Sequence, residues 1–524
     1  MKLAIAFLIL TSCFLQAFAE DDLSQHKQSE LVPFYYGVAS GDPLQDRVIL
    51  WTKLELPLGL DEANVIWQIA SDSNFSEIVN EGDTVVFRKN DFTVKVDADK
   101  LRSNTWYYYR FIFQNKKSVT GRTKTLPVSD EAKNISLAVA SCQDYEFGFY
   151  NAYNSMVKRN EIDAVVFLGD YIYEYENYKT RYAPEPEKLA LRVRAHYPEH
   201  EIVSLEDYRT RYKTYRLDHD LQEAHRMFPW ICIWDDHEHS NNTWRHGAQN
   251  HQPEEEGDWE ARLNTSIQVY HEWLPTRLPD ENKPMKIYRH FEFGELLNLI
   301  MLDTRIIGRD KQVASKTSVN DTTLNNPNRN LLGKEQLQWL DSLLSENKCQ
   351  WTIIGQQIMM SPLLIKHPFL RFPKIGNADQ WDGYPAERKR LFGLIEKHSV
   401  KNLVVLSGDI HTAWSGNLPK ENYKPVRNKN SYGVEFVTAS VTSRNLGKRI
   451  PLAHRTIKTM NPHIKFVDAY AHGYFTLHIT SERVRCNHIF IDNIKTRQYK
   501  EIKGKSFEVL NGHSFLKKIK SKKY

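Results

Sequence analysis

Residues 164–173 read AVVFLGDYIY, and this stretch decides the fold. Its first five residues are apolar and include β-branched and aromatic side chains, which is typical of a short strand buried on both faces of a sheet. Asp170 follows directly, near the carboxyl end of that strand, where open α/β sheets bind ligands and metals. The stretch therefore predicts an α/β domain with a polar site at one edge of its sheet.

Three other stretches have the same form, an apolar run followed at once by polar residues. They are ISLAVASCQD (135–144), WICIWDDHE (230–238) and NLVVLSGDIH (402–411). Each stretch alone is weak evidence for a functional site, because a single Gly-Asp after a strand is usually a turn. Together they place Asp, His, Tyr and Cys at four strand ends, and packing gives no reason to collect so many costly polar groups there. We therefore expect the four clusters to converge on one site.

The α/β domain is predicted over residues 134–495. Strand-like apolar runs alternate there with amphipathic helices, as in a domain with a buried sheet. The clearest helices are residues 333–347 and 385–399, and in the first of them leucines repeat at helical spacing. Residues 175–226, rich in Tyr and Arg, are predicted to form a helical insertion.

The N-terminal part of the chain has a different pattern. Residues 34–124 contain short β-rich runs separated by turn signals, which favours a small antiparallel sandwich. We expect this domain at residues 32–127, followed by the linker TLPVSD at 125–130. Two domains also agree with a length of 524 residues, which exceeds what one core usually supports.

The first 19 residues are typical of a secretory signal peptide. Lys2 precedes an apolar run, and a small-x-small cleavage site follows at residues 17–19. The alternative is a lipoprotein box at residues 10–13, which would leave a lipid anchor on Cys13. We therefore expect an exported protein, periplasmic or extracellular. No transmembrane span is predicted, because the other apolar runs are short.

Charge and cysteine content argue against two further classes, nucleic-acid-binding proteins and disulfide-rich scaffolds. The formal net charge is +5, but a predicted basic tail at residues 496–524 carries the excess, so the body has no nucleic-acid footprint. Such a tail is expected to be a solvated end. Five cysteines in so long a chain do not make a disulfide scaffold. Cys232 and Cys486 are predicted to be buried strand residues.

Six stretches of the α/β domain resemble, in the same order, the motifs of the calcineurin-like metal-dependent phosphoesterases, and among these the PhoD-like (alkaline phosphatase D type) enzymes. The stretches are VASCQDYEFGFYNAY (139–153), VVFLGDYIYEY (165–175), WDDHEHSNN (234–242), IIGQQIMMSP (353–362), VVLSGDIHTAW (404–414) and AHGYFTLHIT (471–480). Residues 37–54 are similar to the N-terminal domain of that family. The resemblance implies an α/β metallophosphatase sandwich of two central β-sheets flanked by helices, preceded by a fibronectin-like all-β domain.

The same resemblance implies a two-metal centre. Asp170 matches the carboxylate that bridges the metals. Cys142 stands where more distant relatives have an aspartate or histidine, Tyr173 matches a tyrosine of the purple acid phosphatase branch, and His411 completes the set. These four side chains are the predicted ligands of the first metal.

The second metal is implied to share Asp170. Asp236 replaces the asparagine of the usual GNHE motif, Asp409 replaces the first histidine of GHxH, and Gln356 falls where the fourth motif usually has histidine. Thiolate, phenolate and imidazole suit a trivalent or borderline transition ion, whereas carboxylate and amide oxygens suit a hard ion. The implied pair is Fe³⁺ with Ca²⁺, and Mg²⁺, Mn²⁺ and Zn²⁺ stay open.

Hydrolysis is implied to proceed by attack of a hydroxide that bridges the metals, which lie roughly 3.5–4 Å apart in such centres. His237 would stabilise the transition state and protonate the leaving oxygen. Alternatively, it holds Asp236 in place. The residues predicted to contact phosphate are Asn241, Asn242 and Arg305. Arg305 could instead pair with Asp303.

We therefore predict an exported alkaline phosphatase or phosphodiesterase that acts on small organic phosphate esters, with no specific nucleic-acid partner. Preference for monoesters or diesters stays open, because one centre serves both, and specificity is expected from residues 175–226. The alternatives are an exported surface-binding protein with a structural metal site and a secreted nuclease. An open ligand set disfavours the first, and the charge distribution disfavours the second.

Overall fold

The computed structural model describes most of the chain. The described residues are 23, 27–177, 192–314, 316–365, 372–420, 430–445 and 453–519. The predicted signal peptide at residues 1–19, and with it the alternative lipid anchor at Cys13, lies outside them.

The elements are numbered in chain order. The strands are β1 (Val38–Gly41), β2 (Val48–Lys53), β3 (Glu62–Ala70), β4 (Ile78–Phe87), β5 (Thr93–Ala98), β6 (Trp106–Phe113), β7 (Lys116–Lys117), β8 (Gly121–Lys124), β9 (Asn134–Ala140), β10 (Ala164–Phe167), β11 (Pro229–Cys232), β12 (Arg289–Phe293), β13 (Leu297–Met301), β14 (Trp351–Gly355), β15 (Leu364–Ile365), β16 (Lys374–Ile375), β17 (Leu403–Ser407), β18 (Ala413–Pro419), β19 (Ser431–Val437), β20 (Ile464–Asp468), β21 (His472–Thr480), β22 (Arg483–Ile491), β23 (Glu501–Leu510) and β24 (Lys517–Lys518). The α-helices are α1 (Asn151–Arg159), α2 (Leu205–Arg216), α3 (His219–Met227), α4 (Pro253–Glu256), α5 (Trp259–Trp273), α6 (Gly333–Glu346), α7 (Pro385–Lys397) and α8 (Ala453–Met460).

Two large sheets form the body of the molecule. One has the strand order β24-β23-β22-β21-β9-β10-β11-β1-β2-β5, and the other has the order β12-β13-β14-β17-β19-β18-β20. Alternate residues of the second sheet point to opposite sides. Leu299 and Val404 join the core that also contains Leu137 of the first sheet, whereas Ile300 and Val405 pack with leucines of α6 and α7. This arrangement confirms the predicted α/β sandwich of two sheets with flanking helices.

Parallel pairing brings the predicted polar clusters to one edge. β9, β10 and β11 run parallel in the first sheet, and β13, β14, β17 and β19 run parallel in the second. A parallel bridge between Ser141 and Ser440, just beyond β9 and β19, joins the carboxyl ends of the two sheets. The residues that follow β9, β10, β11 and β17 therefore meet at one place.

The N-terminal domain shares a sheet with the α/β domain. β3, β4, β6, β7 and β8 form an antiparallel sheet with its own core, but β1, β2 and β5, which complete that core, belong to the ten-stranded sheet. Gly41 allows β1 to lie beside β11, because a Cβ there would lie 2.4 Å from the carbonyl oxygen of Pro275 and 2.6 Å from that of Trp230. The ten-stranded sheet thus takes part in both cores, and Tyr36, Ala39 and Trp51 of the N-terminal domain are buried in the main core.

The predicted basic tail at residues 496–524 begins inside the fold. Residues 501–510 form β23, which pairs antiparallel with β22, and Phe507 and Val509 are buried in the main core. Without β23, the edge of β22 would present unpaired backbone groups. Lys517 and Lys518 form β24, which pairs antiparallel with β23, and both residues are exposed.

The described part of the predicted insertion at residues 175–226 contains α2 and most of α3, whereas residues 175–177 and 192–203 are not helical. Its residues 178–191 lie outside the described part. Tyr208, Tyr212 and Tyr215 of α2 are buried in the main core. This helix therefore stabilises the sheet instead of standing at the surface.

The four described cysteines are free, and Cys232 and Cys486 are buried in β11 and β22 as predicted. Across the described ranges, the structure contains no helix with the length and apolar character needed to cross a membrane.

Candidate metal centre

Three of the four polar clusters line one cleft with a volume of about 1150 Å³. The predicted site residues that line this cleft are Asp170, Asp236, His237, Asn241, Asn242, Asp409 and His411. Cys142 and Tyr173 are buried beside Asp170. The described part of the predicted insertion, residues 192–226, does not line the cleft.

Cys142, Asp170, Tyr173 and His411 form what we call the first group. A sulfur of Cys142, a carboxylate oxygen of Asp170 and an imidazole nitrogen of His411 all lie within 4.8 Å of one another. The Tyr173 hydroxyl donates to Asp170 Oδ2 at 3.0 Å and lies 3.2 Å from His411 Nε2. All four predicted ligands of the first metal are therefore together.

Two residues that sequence reasoning did not single out orient the first group. His411 Nδ1 donates to the carbonyl oxygen of Arg444 at 2.7 Å, which leaves Nε2 on the side of Asp170, 3.9 Å from its Oδ2. The Ser443 hydroxyl lies 2.6 Å from the Tyr173 hydroxyl oxygen. Such outer hydrogen bonds fix the tautomer and the direction of metal-binding side chains.

Asp170 also belongs to a second cluster. Ligand atoms of Asp170, Asp236 and His237 lie within 4.8 Å of one another, and so do those of Asp235, Asp236 and Asp409. One carboxylate thus stands between the two sets of side chains. This is the position expected of a bridging ligand.

Four of these side chains are carried on unusual backbone. The φ angles are 62° at Cys142, 59° at Asp170, 62° at Asp409 and 56° at His411. The left-handed region is sterically disfavoured for residues with a Cβ, and strain of this kind clusters at functional sites. The turns that follow these strands are thus held in conformations that aim the side chains at one point.

Glu238 was missing from the predicted site, although it is part of the Asp-Asp-His-Glu cluster. Its fully buried carboxylate accepts hydrogen bonds from the backbone nitrogens of Asp170 at 3.0 Å, Tyr171 at 2.7 Å and Asp235 at 2.8 Å. Burial and the charge of Asp170 raise the pKa of Glu238 to about 8. It ties the turn after β10 to the turn after β11.

Glu174 is a second residue that the sequence analysis missed. Its buried Oε2 lies 2.7 Å from His237 Nδ1, and its Oε1 accepts from the backbone nitrogen of Asn241 at 2.8 Å. Burial alone would lower the pKa of His237, but the carboxylates of Glu174 and Asp236 outweigh it and raise that pKa. Because Glu174 engages Nδ1, Nε2 is the nitrogen left for other contacts.

The donor set fits metal ions. Asp170 Oδ1 is buried and has no hydrogen-bond partner among the described residues, which is costly for a carboxylate oxygen unless a cation meets it. Burial and the charge of Asp170 raise the pKa of the Cys142 thiol well above its usual value. A bound cation would favour the thiolate instead. These side chains together have the chemistry of metal ligands.

The side chain of Gln356, a predicted ligand of the second metal, makes hydrogen bonds within the fold, and its role as a ligand stays a prediction. Its side-chain oxygen accepts from Trp381 Nε1 at 3.0 Å and from the backbone nitrogen of Ile358 at 3.2 Å. Its amide nitrogen donates to the Ser407 hydroxyl at 2.6 Å. The polar atoms of Gln356 are therefore engaged within the fold, next to the strands that precede the site.

Arg305 also has a different place from the one predicted. It is fully buried, and its guanidinium contacts the carboxylates of Asp235 and Asp409 and lies 2.7 Å from Asp379 Oδ2. The alternative partner, Asp303, accepts from the backbone nitrogen of Arg305 at 2.8 Å, and no hydrogen bond joins it to the Arg305 guanidinium among the described contacts. Arg305 thus neutralises carboxylates behind the cleft instead of facing it.

Replacing Arg305 with glutamine is expected to destabilise the fold by about 3–5 kcal/mol, because it leaves buried carboxylates unpaired. Chemical denaturation of the purified protein measures this change. Arg497→Gln, at an exposed arginine that pairs with Asp220, is the control and should cost less than about 1 kcal/mol. A normally stable Arg305→Gln protein with a raised KM would instead favour the predicted phosphate contact.

The cleft contains other groups that suit an anion. Asn241 and Asn242 line it as predicted, and the backbone nitrogen of Asn242 donates to Asp236 Oδ2 at 2.6 Å. Lys311 and Arg444 line it as well, and both side chains are exposed. These two cations, and not Arg305, are placed to meet a negatively charged ligand.

Sequence comparison decides the family. The profile of the family described as PhoD-like phosphatase matches residues 137–488, and that of the PhoD-like phosphatase N-terminal domain matches residues 19–127. The chain belongs to the PhoD-like phosphatase family. Alkaline phosphatase D of Bacillus subtilis (strain 168) is 38% identical to it over 469 residues, which are 87% of this chain and 77% of that protein. The PhoD-like chain is therefore a phosphoesterase, a hydrolase.

Solved structures agree with this assignment. A structure of PhoD matches with a TM-score of 0.84 at 35% identity, covering 94% of this chain and 93% of that one. The purple acid phosphatase PPD1 from yellow lupin (Lupinus luteus) seeds matches with a TM-score of 0.57 at 12% identity, covering 91% and 74%. At that identity, the second match supports the metallophosphatase fold alone.

Proposed function

We propose that this PhoD-like protein is an exported two-metal phosphoesterase that releases phosphate from small organic phosphate esters. The observation that carries the proposal is the position of Asp170, which is shared by two clusters of ligand-type side chains at the bottom of an open cleft. A structural metal site would be closed by its ligands. Here, Asp170 and His411 line a cleft that a substrate can enter.

The residues divide between two metals by their chemistry. The first group, with its thiol, phenol and imidazole, suits Fe³⁺, and Asp170, Asp236 and Asp409 suit a hard ion such as Ca²⁺. When bound, the pair would supply Lewis acidity and an activated water as nucleophile. Both identities are part of the proposal.

The side chains of the protein have separate tasks around that chemistry. His237, held by Glu174 through Nδ1, donates its Nε2 proton to the oxygen of the leaving group. Lys311 and Arg444 attract the anionic substrate into the cleft. Glu238 keeps the turns that carry Asp170 and Asp235 in register.

Export is proposed from residues 1–19, which have the pattern of a secretory signal. The metals would then be bound after translocation. The surface-binding alternative is set aside because the chain is a member of a phosphatase family. Small phosphate esters are favoured over nucleic acid, since the excess of positive charge lies at the C-terminal end of the chain.

Metal removal tests the centre directly. A calcium-selective chelator is expected to abolish hydrolysis of both 4-nitrophenyl phosphate and its bis-ester, and added Ca²⁺ should restore it. Fe³⁺ bound to phenolate or thiolate should give a visible charge-transfer band. The band should persist in the chelator, because a calcium-selective chelator does not remove the iron held by the first group. Absorption spectra, metal analysis and turnover are measured on the same samples.

Two cysteine variants make this test specific. Cys142→Ser should shift or weaken the band, whereas Cys349→Ser, at a half-buried cysteine after α6, should leave it unchanged. An active, colourless protein that contains only zinc or manganese would overturn the iron assignment. Full activity after complete metal removal would overturn the two-metal proposal.

A further inference from the structure

The cleft extends well beyond the metal-ligand cluster. Its volume of about 1150 Å³ exceeds the ~300–1,000 Å³ typical of small-molecule pockets, and a phosphate group would fill a small part of it. Beyond the ligand-type side chains, the lining includes two tryptophans, Trp244 and Trp259, and the exposed cation Lys311. The two tryptophans have no task in the metal chemistry.

Trp244 is a fixed, half-buried part of this wall. Its backbone nitrogen donates to the carbonyl oxygen of Gly247 at 2.8 Å, and the Gly247 nitrogen donates back at 3.2 Å. A Cβ on residue 247 would lie 2.6 Å from the indole ring. The ring therefore packs directly on a glycine in a tight turn, which holds it as a rigid platform.

Lys311 lies against this platform. Its Nζ is 4.8 Å from the centre of the Trp244 ring, a distance at which a cation is attracted to the ring face. The next residue, Gln312, donates through its side-chain amide to the carbonyl oxygen of Asn242 at 3.1 Å and to Asp379 Oδ1 at 2.8 Å. The segment that carries Lys311 is thus tied to the loop that carries Trp244.

The platform stands on the side of the cleft that holds His237. The backbone nitrogen of Asn242 donates to Asp236 Oδ2 at 2.6 Å, and two further peptide units place the Cα of Trp244 within about 7 Å of that of Asn242. His237 belongs to the same loop. If His237 protonates the leaving oxygen, the group attached to that oxygen lies on this side.

We propose that Trp244 and Lys311 form a subsite for the leaving group, and that it selects phosphate esters whose leaving group is flat and negatively charged. The inference rests on the proposed function. The indole offers a π-face to an aromatic or heteroaromatic ring, and the ammonium of Lys311 pairs with a carboxylate or phosphate on that ring. Aliphatic leaving groups gain neither contact.

Three monoesters separate the two contacts: glycerol 2-phosphate, phenyl phosphate and 4-carboxyphenyl phosphate. Trp244→Ala is expected to raise the KM of both aryl esters about tenfold, to change that of glycerol 2-phosphate less than twofold, and to leave kcat unchanged. Trp244→Phe should recover most of the loss, because it restores an aromatic face. KM and kcat are measured separately for each ester.

Lys311→Gln tests the charge independently of folding, since this side chain is exposed. It is expected to raise the KM of the carboxylated aryl ester about three- to fivefold relative to phenyl phosphate. Salt screens an exposed ion pair such as that between Lys311 and the substrate carboxylate, so adding about 0.5 M NaCl should reduce the difference in KM between wild type and Lys311→Gln. Phe87→Ala is the matched control for Trp244→Ala. Lys89 lies 5.2 Å over the Phe87 ring, as Lys311 lies over Trp244, but this pair is on an exposed face of the N-terminal domain, outside the cleft.

Each outcome bears on the subsite. Equal changes for all three esters in Trp244→Ala, or a fall in kcat that Trp244→Phe does not recover, would mean that the ring is structural and would overturn the proposal. Unchanged KM values in Trp244→Ala and Lys311→Gln would overturn it as well. Failure of the wild-type protein to hydrolyse any of the three esters would instead contradict the proposed function.

Discussion

Asp170→Asn is expected to reduce kcat for 4-nitrophenyl phosphate by about 10³–10⁵-fold. The change keeps the size of the side chain but removes the one charge shared by the two ligand clusters. A metal pair contributes several kcal/mol of transition-state stabilisation, and each 1.36 kcal/mol is a factor of about ten in rate. Turnover and metal content are measured together.

Asp341→Asn is the matched control for this substitution. Asp341 is a surface carboxylate of α6 that pairs with Lys397 and His398, so its loss should leave both activity and metal content unchanged. Metal loss is expected in Asp170→Asn, since both clusters depend on this carboxylate. Wild-type turnover by Asp170→Asn would show that the metals are not held through Asp170.

The second large effect is expected for His237→Ala, with turnover lowered about 10²–10⁴-fold, the usual range for a general acid. Metal content should stay the same. The loss should be greater for glycerol 2-phosphate than for 4-nitrophenyl phosphate, because an alkoxide needs protonation to leave and nitrophenolate does not. The ratio of the two turnover numbers in wild type and variant checks this role.

Glu174→Gln tests how His237 is held. The amide keeps the shape of the side chain but loses the charge that faces His237 Nδ1, and a loss of about 10–100-fold in turnover is expected for such a supporting residue. If His237→Ala instead releases metal, His237 is a ligand, as its membership of the cluster with Asp170 and Asp236 also permits. The proton donor must then be sought elsewhere.

Much of the fold could be predicted, because apolar runs and helical periodicity are local properties. Four strands are at the predicted places, namely those that precede Cys142, Asp170, Asp235 and Asp409, and the helices α6 and α7 are as well. β23 was missed, because the lysines around Phe507 and Val509 conceal a strand that forms only against the edge of β22. Pairing with a distant strand leaves a weak local signal.

The candidate site was predictable to the extent that its residues follow strands. Six of the seven residues predicted as metal ligands come together. The seventh is Gln356, whose amide makes hydrogen bonds to Trp381 and Ser407 within the fold. Glu174 and Glu238 lie within two of the motifs that the sequence analysis identified. The sequence did not show their hydrogen bonds, which Glu174 makes to His237 and Glu238 makes to the backbone of Asp170 and Asp235. Metal binding by the clustered residues stays a prediction that metal analysis tests.

The sequence by itself determined the family, the alternation of strands and helices, and the meeting of four polar clusters, since each follows from motifs or from the direction of parallel strands. Tertiary structure alone decided that Arg305 is buried among carboxylates, two of them 70 and 104 residues away along the chain, and that Lys311 lies over Trp244. The physical reason is that a charged side chain takes its role from whatever surrounds it. Burial turns an arginine into a structural counter-ion, whereas exposure in a cleft leaves a lysine free to meet a ligand.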